Sequence, residues 1–234
     1  MKYPMIAVVG QSGSGKSTSL RNLPIGRTKI LNVECKILPF REALKFGKDD
    51  VWLETSTAFE QEIQKLNDDK DHDIIIIESG TAYSDKLLTF SKATMKGWDI
   101  WNLYAEKMIQ QIDRSKKIEN KWVVWLFIDD LVELMAPNGS KSYTRRIAVN
   151  GQALEKKSID KEFTLVLFTQ VNQNADKSKP ATFHFITNND GTCTAKTPMG
   201  MFPTTLMDND INAVIKRAEE YYGIKRGENM FTQT

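Results

Sequence analysis

The sequence predicts an α/β fold: a mostly parallel central sheet flanked by helices, with a late β-hairpin. Apolar runs without alternation recur at 5–9, 28–34, 74–78, 122–128 and 163–171, the pattern of strands buried on both faces. Stretches with helical periodicity, 59–68 and 97–117, fall between them. The first apolar run also leads directly into a glycine-rich loop, where a strand hands the chain to a helix.

The first strand is Met5 to Val9, and the loop behind it reads GQSGSGKST. Gly10, Gly15, Lys16 and Ser17 match G-x-x-x-x-G-K-[ST], with a helix expected from about Lys16 to just before Pro24. Glycines permit the positive φ values that turn successive backbone N–H groups toward phosphate oxygens. Lys16 then reaches the β and γ phosphates, and Ser17 offers a hydroxyl to Mg²⁺. Gln11, Ser12, Gly13, Ser14 and Thr18 complete the nucleotide-binding stretch, their side chains suited to loop and cap chemistry. The motif predicts ATP and Mg²⁺ as ligands.

The next strand, 28–34, ends on Glu34, and "DHDIIIIESG" gives a third, in which consecutive isoleucines end on Glu78. β-Branched residues in series are stiff and favour strands. An acid closing so apolar a run needs a partner, and Mg²⁺ held through water at the end of a strand near the loop supplies one. Asp is the usual residue there, so Glu78 adds a methylene of reach. Asp73, at the other end of the strand, reads as a solvated cap. Glu34, on a strand expected beside the first one, is the candidate base for an attacking water.

Further along, Trp98, Trp101, Tyr104, Met108 and Ile109 recur at three and four and are expected to line the core face of a helix. Runs ending on Asp129–Asp130 and on Gln170 are two more buried strands. "ATFHFITNND" followed by "GTCTAKTP" is expected to fold as a hairpin turning at Asn189–Asp190–Gly191.

Composition bounds the function. The 234 residues suit a single domain, 1–226, with 227–234 as a loose tail. Thirty-two basic against 30 acidic residues leave +2, so any basic site must be local. Cys35 and Cys193 are too few for a disulfide framework, and two histidines, His72 and His184, make a His-based metal site improbable. With neither a signal-like start nor an 18-residue apolar run, a cytoplasmic protein without membrane contact is expected.

On these residues the chain resembles the RecA-like recombination ATPases. Their strand of two apolar residues, Asp, an apolar residue and Glu is answered by Ile30, Leu31, Asn32, Val33 and Glu34. Their Asp-Ser at the metal strand is answered by Glu78–Ser79. "NVECKILPFREALKFG", "GWDIWNLYAEKM" and "TAKTPMGMFP" are similar to the core-only RecA-like ATP-binding proteins of bacteriophages, a group associated with single-strand annealing and recombination. The resemblance runs from Ile6 to about Tyr222.

The resemblance implies an ATPase that assembles as a ring or filament of like subunits on single-stranded DNA, in the cytoplasm of a bacterial host. It implies a polar γ-phosphate sensor, for which Asp130 and Gln170 compete, with Asp129 as an additional acid beside the metal. It also implies a cation acting on a neighbouring subunit, for which Lys196, Arg145 and Arg146 compete. Lys141, Tyr143, Arg145, Arg146, Lys156 and Lys157, with Lys161, are the candidate DNA contacts, since cations beside an aromatic suit single strands. Lys86, Lys92 and Lys96 lie where such proteins carry a first DNA loop. Two other readings fit the same loop. One is a phosphotransferase acting on a nucleotide or other small molecule, with Arg145–Arg146 as its lid. The other is a nucleotide-gated interaction protein with little turnover.

Overall fold

The computed structural model describes residues 1–46, 51–53, 55–151, 154 and 158–224. An eight-stranded sheet forms the centre, in the order β10-β9-β8-β1-β5-β4-β2-β3. Its strands are β1 (Ile6–Val9), β2 (Thr28–Asn32), β3 (Val51–Trp52), β4 (Ile74–Glu78), β5 (Trp122–Phe127), β8 (Leu165–Asn172), β9 (Thr182–Ile186) and β10 (Leu206–Asp208). The pairs from β3 to β8 are parallel; β9 is antiparallel to both β8 and β10. A separate two-stranded sheet, β6 (Asp129–Met135) with β7 (Lys141–Ile147), projects from the end of β5.

Side-chain alternation divides β1 between two cores. Met5, Ala7 and Val9 face one, with Phe59, Tyr83, Leu87, Tyr104, Met108 and Ile112. Ile6 and Val8 face the other, with Leu20, Phe46, Val214, Ile215 and Ala218. The first layer is built by α2 (Ser56–Lys65), α3 (Gly80–Thr94) and α4 (Asp99–Lys117); the second by α1 (Ala43–Phe46) and α5 (Ile211–Tyr222). The isoleucines of β4 split in the same way, Ile75 and Ile77 to one side, Ile74 and Ile76 to the other. This double burial is why the run does not alternate in sequence, and truncating any one of the four to alanine costs about 2–5 kcal/mol.

Local signals place the helices. Thr55 accepts a bond from the Ala58 N–H at α2, Ser79 from the Ala82 N–H at α3, and Asp210 from the Asn212 and Ala213 N–H groups at α5. Gly223 ends α5 in the left-handed conformation, φ 65°.

Several expectations need correction. The helix after the glycine loop is one 3₁₀ turn, Ser17–Leu20, because the run of Ser, Thr and Asn competes for its own backbone: the Ser19 hydroxyl bonds the Lys16 carbonyl at 2.5 Å. β2 ends at Asn32 and lies beside β4, not β1; β5 is inserted between β1 and β4. The turn at 189–191 exists, with the Asn189 carboxamide accepting from the Gly191 N–H at 2.7 Å, but it does not close a hairpin. β9 pairs with β8 before it and β10 after it, while Cys193 and Lys196 only bridge to Arg145 and Val166. Residues 83–94, expected in a loop, belong to α3. Trp98 is 83% exposed rather than core, since it precedes α4 at a corner that no element covers; Trp101 and Ile109 are half-buried. Asp73 pairs with Arg27 and is not a solvated cap. The tail 227–234 lies outside the described residues. No helix is long and apolar enough to cross a membrane among those residues.

Candidate functional site

Parallel strands deliver their carboxyl ends to one edge of the sheet, and ligand crevices of open α/β sheets lie beyond that edge. Here the edge holds a cavity of about 530 Å³, lined by Ser12, Gly13 and residues 15–18 of the loop with Asn32, Glu34, Lys36, Ile37, Leu38, Pro39, Glu78, Ser79 and Ile128. Lys16, Ser17, Glu34 and Glu78, separated by up to 62 positions in sequence, therefore share one cavity.

The loop is fitted tightly around its glycines. A Cβ on Gly10 would sit 1.7 Å from the Thr169 hydroxyl and 2.7 Å from that of Ser14, and Gly15 at φ 94° is backed by Phe183. The Ser14 hydroxyl donates to the Gln11 carbonyl at 2.6 Å and accepts from Thr169 at 2.6 Å. Lys16 folds back onto the carbonyls of Gly10 and Gln11, at 2.7 and 2.9 Å. Burial lowers the pKa of its ammonium, against the pull of Glu78, Asp129 and Glu34.

Glu78 is the centre of the acidic wall. It is only 8% exposed; its Oε1 accepts from the Ser17 hydroxyl at 2.7 Å, while Oε2 is buried without a hydrogen-bond partner among the described residues. Burial pushes its pKa up to about 7; the Ser17 bond opposes the shift, the nearby Glu34 adds to it, and Lys16 opposes it. The Glu78–Ser79 peptide is cis. A carboxylate oxygen left unsatisfied beside a serine hydroxyl is a set of hard donors with unused capacity. Magnesium asks the protein for no more than one or two such groups, taking the rest of its shell from water and phosphate. Clusters of three or more His, Cys, Asp or Glu are absent among the described residues.

Glu34 lies two residues past β2, in a turn that Asn32 holds by donating its amide to the Lys36 carbonyl at 2.7 Å. Its carboxylate accepts from Ser79 at 3.2 Å and pairs with Lys36.

The remaining candidates divide. Asp129, 4% exposed, is bound by Arg145 Nε at 2.5 Å, and its Oδ1 is buried without a partner among the described residues. Arg145 also donates to the Thr169 carbonyl at 3.1 Å and lies 5.2 Å over the Phe168 ring, so it is engaged within its own chain rather than offered to DNA or a neighbour. Asp130 turns outward and bonds the Leu131 N–H, and Gln170 bonds Asn172; neither lines the cavity. Lys141 and Tyr143 are exposed on the β6–β7 hairpin, and both contact Glu133. Arg146 and Lys196 are half-buried outside the cavity, and Lys161 is exposed. Lys156 and Lys157 lie outside the described residues. Lys86 and Lys92 stand on α3, and Lys96 at the corner beside Trp98.

Sequence reasoning missed Thr169 and the Asp129–Arg145 pair. Only the closeness of its side chain to Gly10, invisible in sequence, gives Thr169 its place. Neither a scan against protein-family models nor a search of curated proteins finds a match for this chain.

Proposed function

We propose that the chain is a RecA-like P-loop ATPase that binds ATP with Mg²⁺ at residues 10–18 and acts with single-stranded DNA in phage recombination or annealing. The observation that carries the reading is the Ser17–Glu78 hydrogen bond beside Lys16, with the buried, unpartnered Oε2 of Glu78 in the same cavity.

In this reading the N–H groups of the loop and the ammonium of Lys16 hold the phosphates, Lys16 exchanging the carbonyls of Gly10 and Gln11 for phosphate oxygens. Ser17 and Glu78 would hold Mg²⁺, which neutralises charge on the phosphates when bound. Glu34 orients the attacking water, and Ser79 fixes the carboxylate for that task. Tyr143 and Lys141 on the hairpin, and Lys92, Lys96 and Trp98 at the α3–α4 corner, offer aromatic and cationic groups of the kind that contact single strands.

The Glu34–Lys36 ion pair favours the slow-turnover, nucleotide-gated alternative, because a base tied to a cation is a weaker base. The phosphotransferase alternative loses support from Arg145, whose guanidinium is committed to Asp129. ATP hydrolysis by the wild type and Lys16→Ala, with and without single-stranded DNA, tests the proposal. DNA-stimulated turnover that the substitution abolishes is the expected result. Turnover indifferent to DNA rejects the recombination role, and turnover that survives the substitution rejects the site.

A further inference from the structure

Past β2 the chain makes a turn whose geometry is set by one buried carboxamide. Asn32 donates its amide to the Lys36 carbonyl at 2.7 Å and accepts from the Lys36 N–H at 3.4 Å, so both halves of its side chain hold the same residue. Cys35 completes the turn at φ 54°, in the left-handed region that residues other than glycine seldom adopt. An ionised Asp in the place of Asn32, as in the strand of the recombination ATPases, has no proton to donate and could not close the turn in this way. The turn puts Lys36 on the wall of the cavity, where it and Lys16 are the two cations among the described lining residues. Its ammonium pairs with Glu34, whose carboxylate also accepts from Ser79. Its charge acts on Lys16 and Glu78 as well.

We propose that Lys36 is a catalytic residue of its own subunit: it leaves Glu34 for the γ-phosphate of bound ATP, which frees the Glu34 carboxylate for the attacking water and sets a cation against the transferring phosphoryl group. The inference rests on the nucleotide-binding reading above. Both sides of the exchange favour it. The Lys36 side chain is 72% exposed on a flexible stem, so water weakens its hold on a single carboxylate. A terminal phosphate carries more negative charge and three acceptor oxygens, and it draws the ammonium away. In the step that follows, the water oxygen forms a bond to the γ-phosphorus, the bond from that phosphorus to the β–γ bridging oxygen breaks, and ADP leaves with the electron pair. The water's proton passes to Glu34, and Lys36 opposes the charge spread over the equatorial oxygens. The ion pair that restrains the base without nucleotide is thus undone by the substrate.

Titration calorimetry with ADP and with a non-hydrolysable ATP analogue, both with Mg²⁺, and steady-state ATP hydrolysis test this in the wild type, Lys36→Met and Lys36→Arg. Lys36 is exposed, so neither substitution disturbs the core. Lys36→Met is expected to bind ADP as the wild type does and to lose about tenfold or more of the preference for the triphosphate. Its kcat is expected to fall by about a hundredfold or more, with a smaller change in KM. Lys36→Arg, which keeps the charge, recovers most of both. Mixing Lys36→Met with Lys16→Ala, which carries an intact Lys36 beside a broken loop, restores no turnover; restoration would overturn the assignment to one subunit. A Lys36→Met that keeps the wild-type preference for the triphosphate, or the wild-type kcat, overturns the proposal. A kcat that rises makes Lys36 only a brake on Glu34 and overturns it too. A wild type that binds the analogue without hydrolysing ATP overturns the catalytic role alone. Failure of the wild type to bind the analogue overturns the nucleotide reading and this inference with it.

Discussion

The glycine loop and the β6–β7 hairpin leave the same edge of the sheet and obey different physics. Around the loop, charge is buried and rationed: Lys16, Glu78 and Asp129 feel one another through low dielectric, and one oxygen on each acid has no partner among the described residues. On the hairpin, charge is exposed and settled locally, Lys141 and Tyr143 both contacting Glu133. Surface pairs of that kind contribute about 0–1 kcal/mol. A count of basic residues therefore overstates the hairpin as an electrostatic site, and a count of acids understates the cavity.

Breaking the buried side gives the largest effects. Lys16→Ala is expected to weaken ATP binding by about a hundredfold or more, since it removes charge-assisted hydrogen bonds worth about 1.5–3 kcal/mol each; titration calorimetry reads this directly. Glu78 comes next, through pH. Its folded-state pKa of about 7 stands above the ordinary 4.5, so between those values the folded chain holds more protons than the unfolded one. Its favourable contribution to stability is complete below about pH 4.5 and is lost as pH rises to about 7, a change on the order of 3 kcal/mol. Without nucleotide, Glu78→Gln should thus be more stable than the wild type at pH 8 and nearly equal to it at pH 4.5, as seen in thermal melts. A melting-point difference constant across pH would contradict it.

Gly10→Ala forces a methyl against Thr169 and is expected to cost about 1–3 kcal/mol, visible as a lower denaturant midpoint. The exposed side gives the smallest effect. Lys141→Ala should change stability by about 0.5 kcal/mol or less and, if the hairpin touches a phosphate, reduce the salt slope of single-strand binding by about one. A large loss of stability there would erase the contrast between the two regions.

Most of the fold was legible because burial on both faces of a sheet writes itself into sequence as runs such as Ile74 to Ile77. The loop was legible because its glycines are required by close approach. Pairing was less so. The insertion of β5 between β1 and β4 depends on contacts across more of the chain than any local pattern spans. Periodicity put Trp98 in the core because it reports a face and not whether anything covers that face. Arg145 looked like a free cation because its partner, Asp129, is contributed by the other strand of the hairpin at the root, while the sequence between them carries several other charges.

The role proposed for Ser17 and Glu78 is to hold a divalent cation beside the phosphates of a bound nucleotide. ATP affinity of the wild type and Glu78→Gln, each measured with and without Mg²⁺ at pH 8, tests it most directly. With Ser17 and Glu78 as the cation's ligands, Mg²⁺ is expected to tighten binding to the wild type by about tenfold or more and to add little to the variant. A wild type that does not bind ATP, or an equal gain from Mg²⁺ in both proteins, would contradict it.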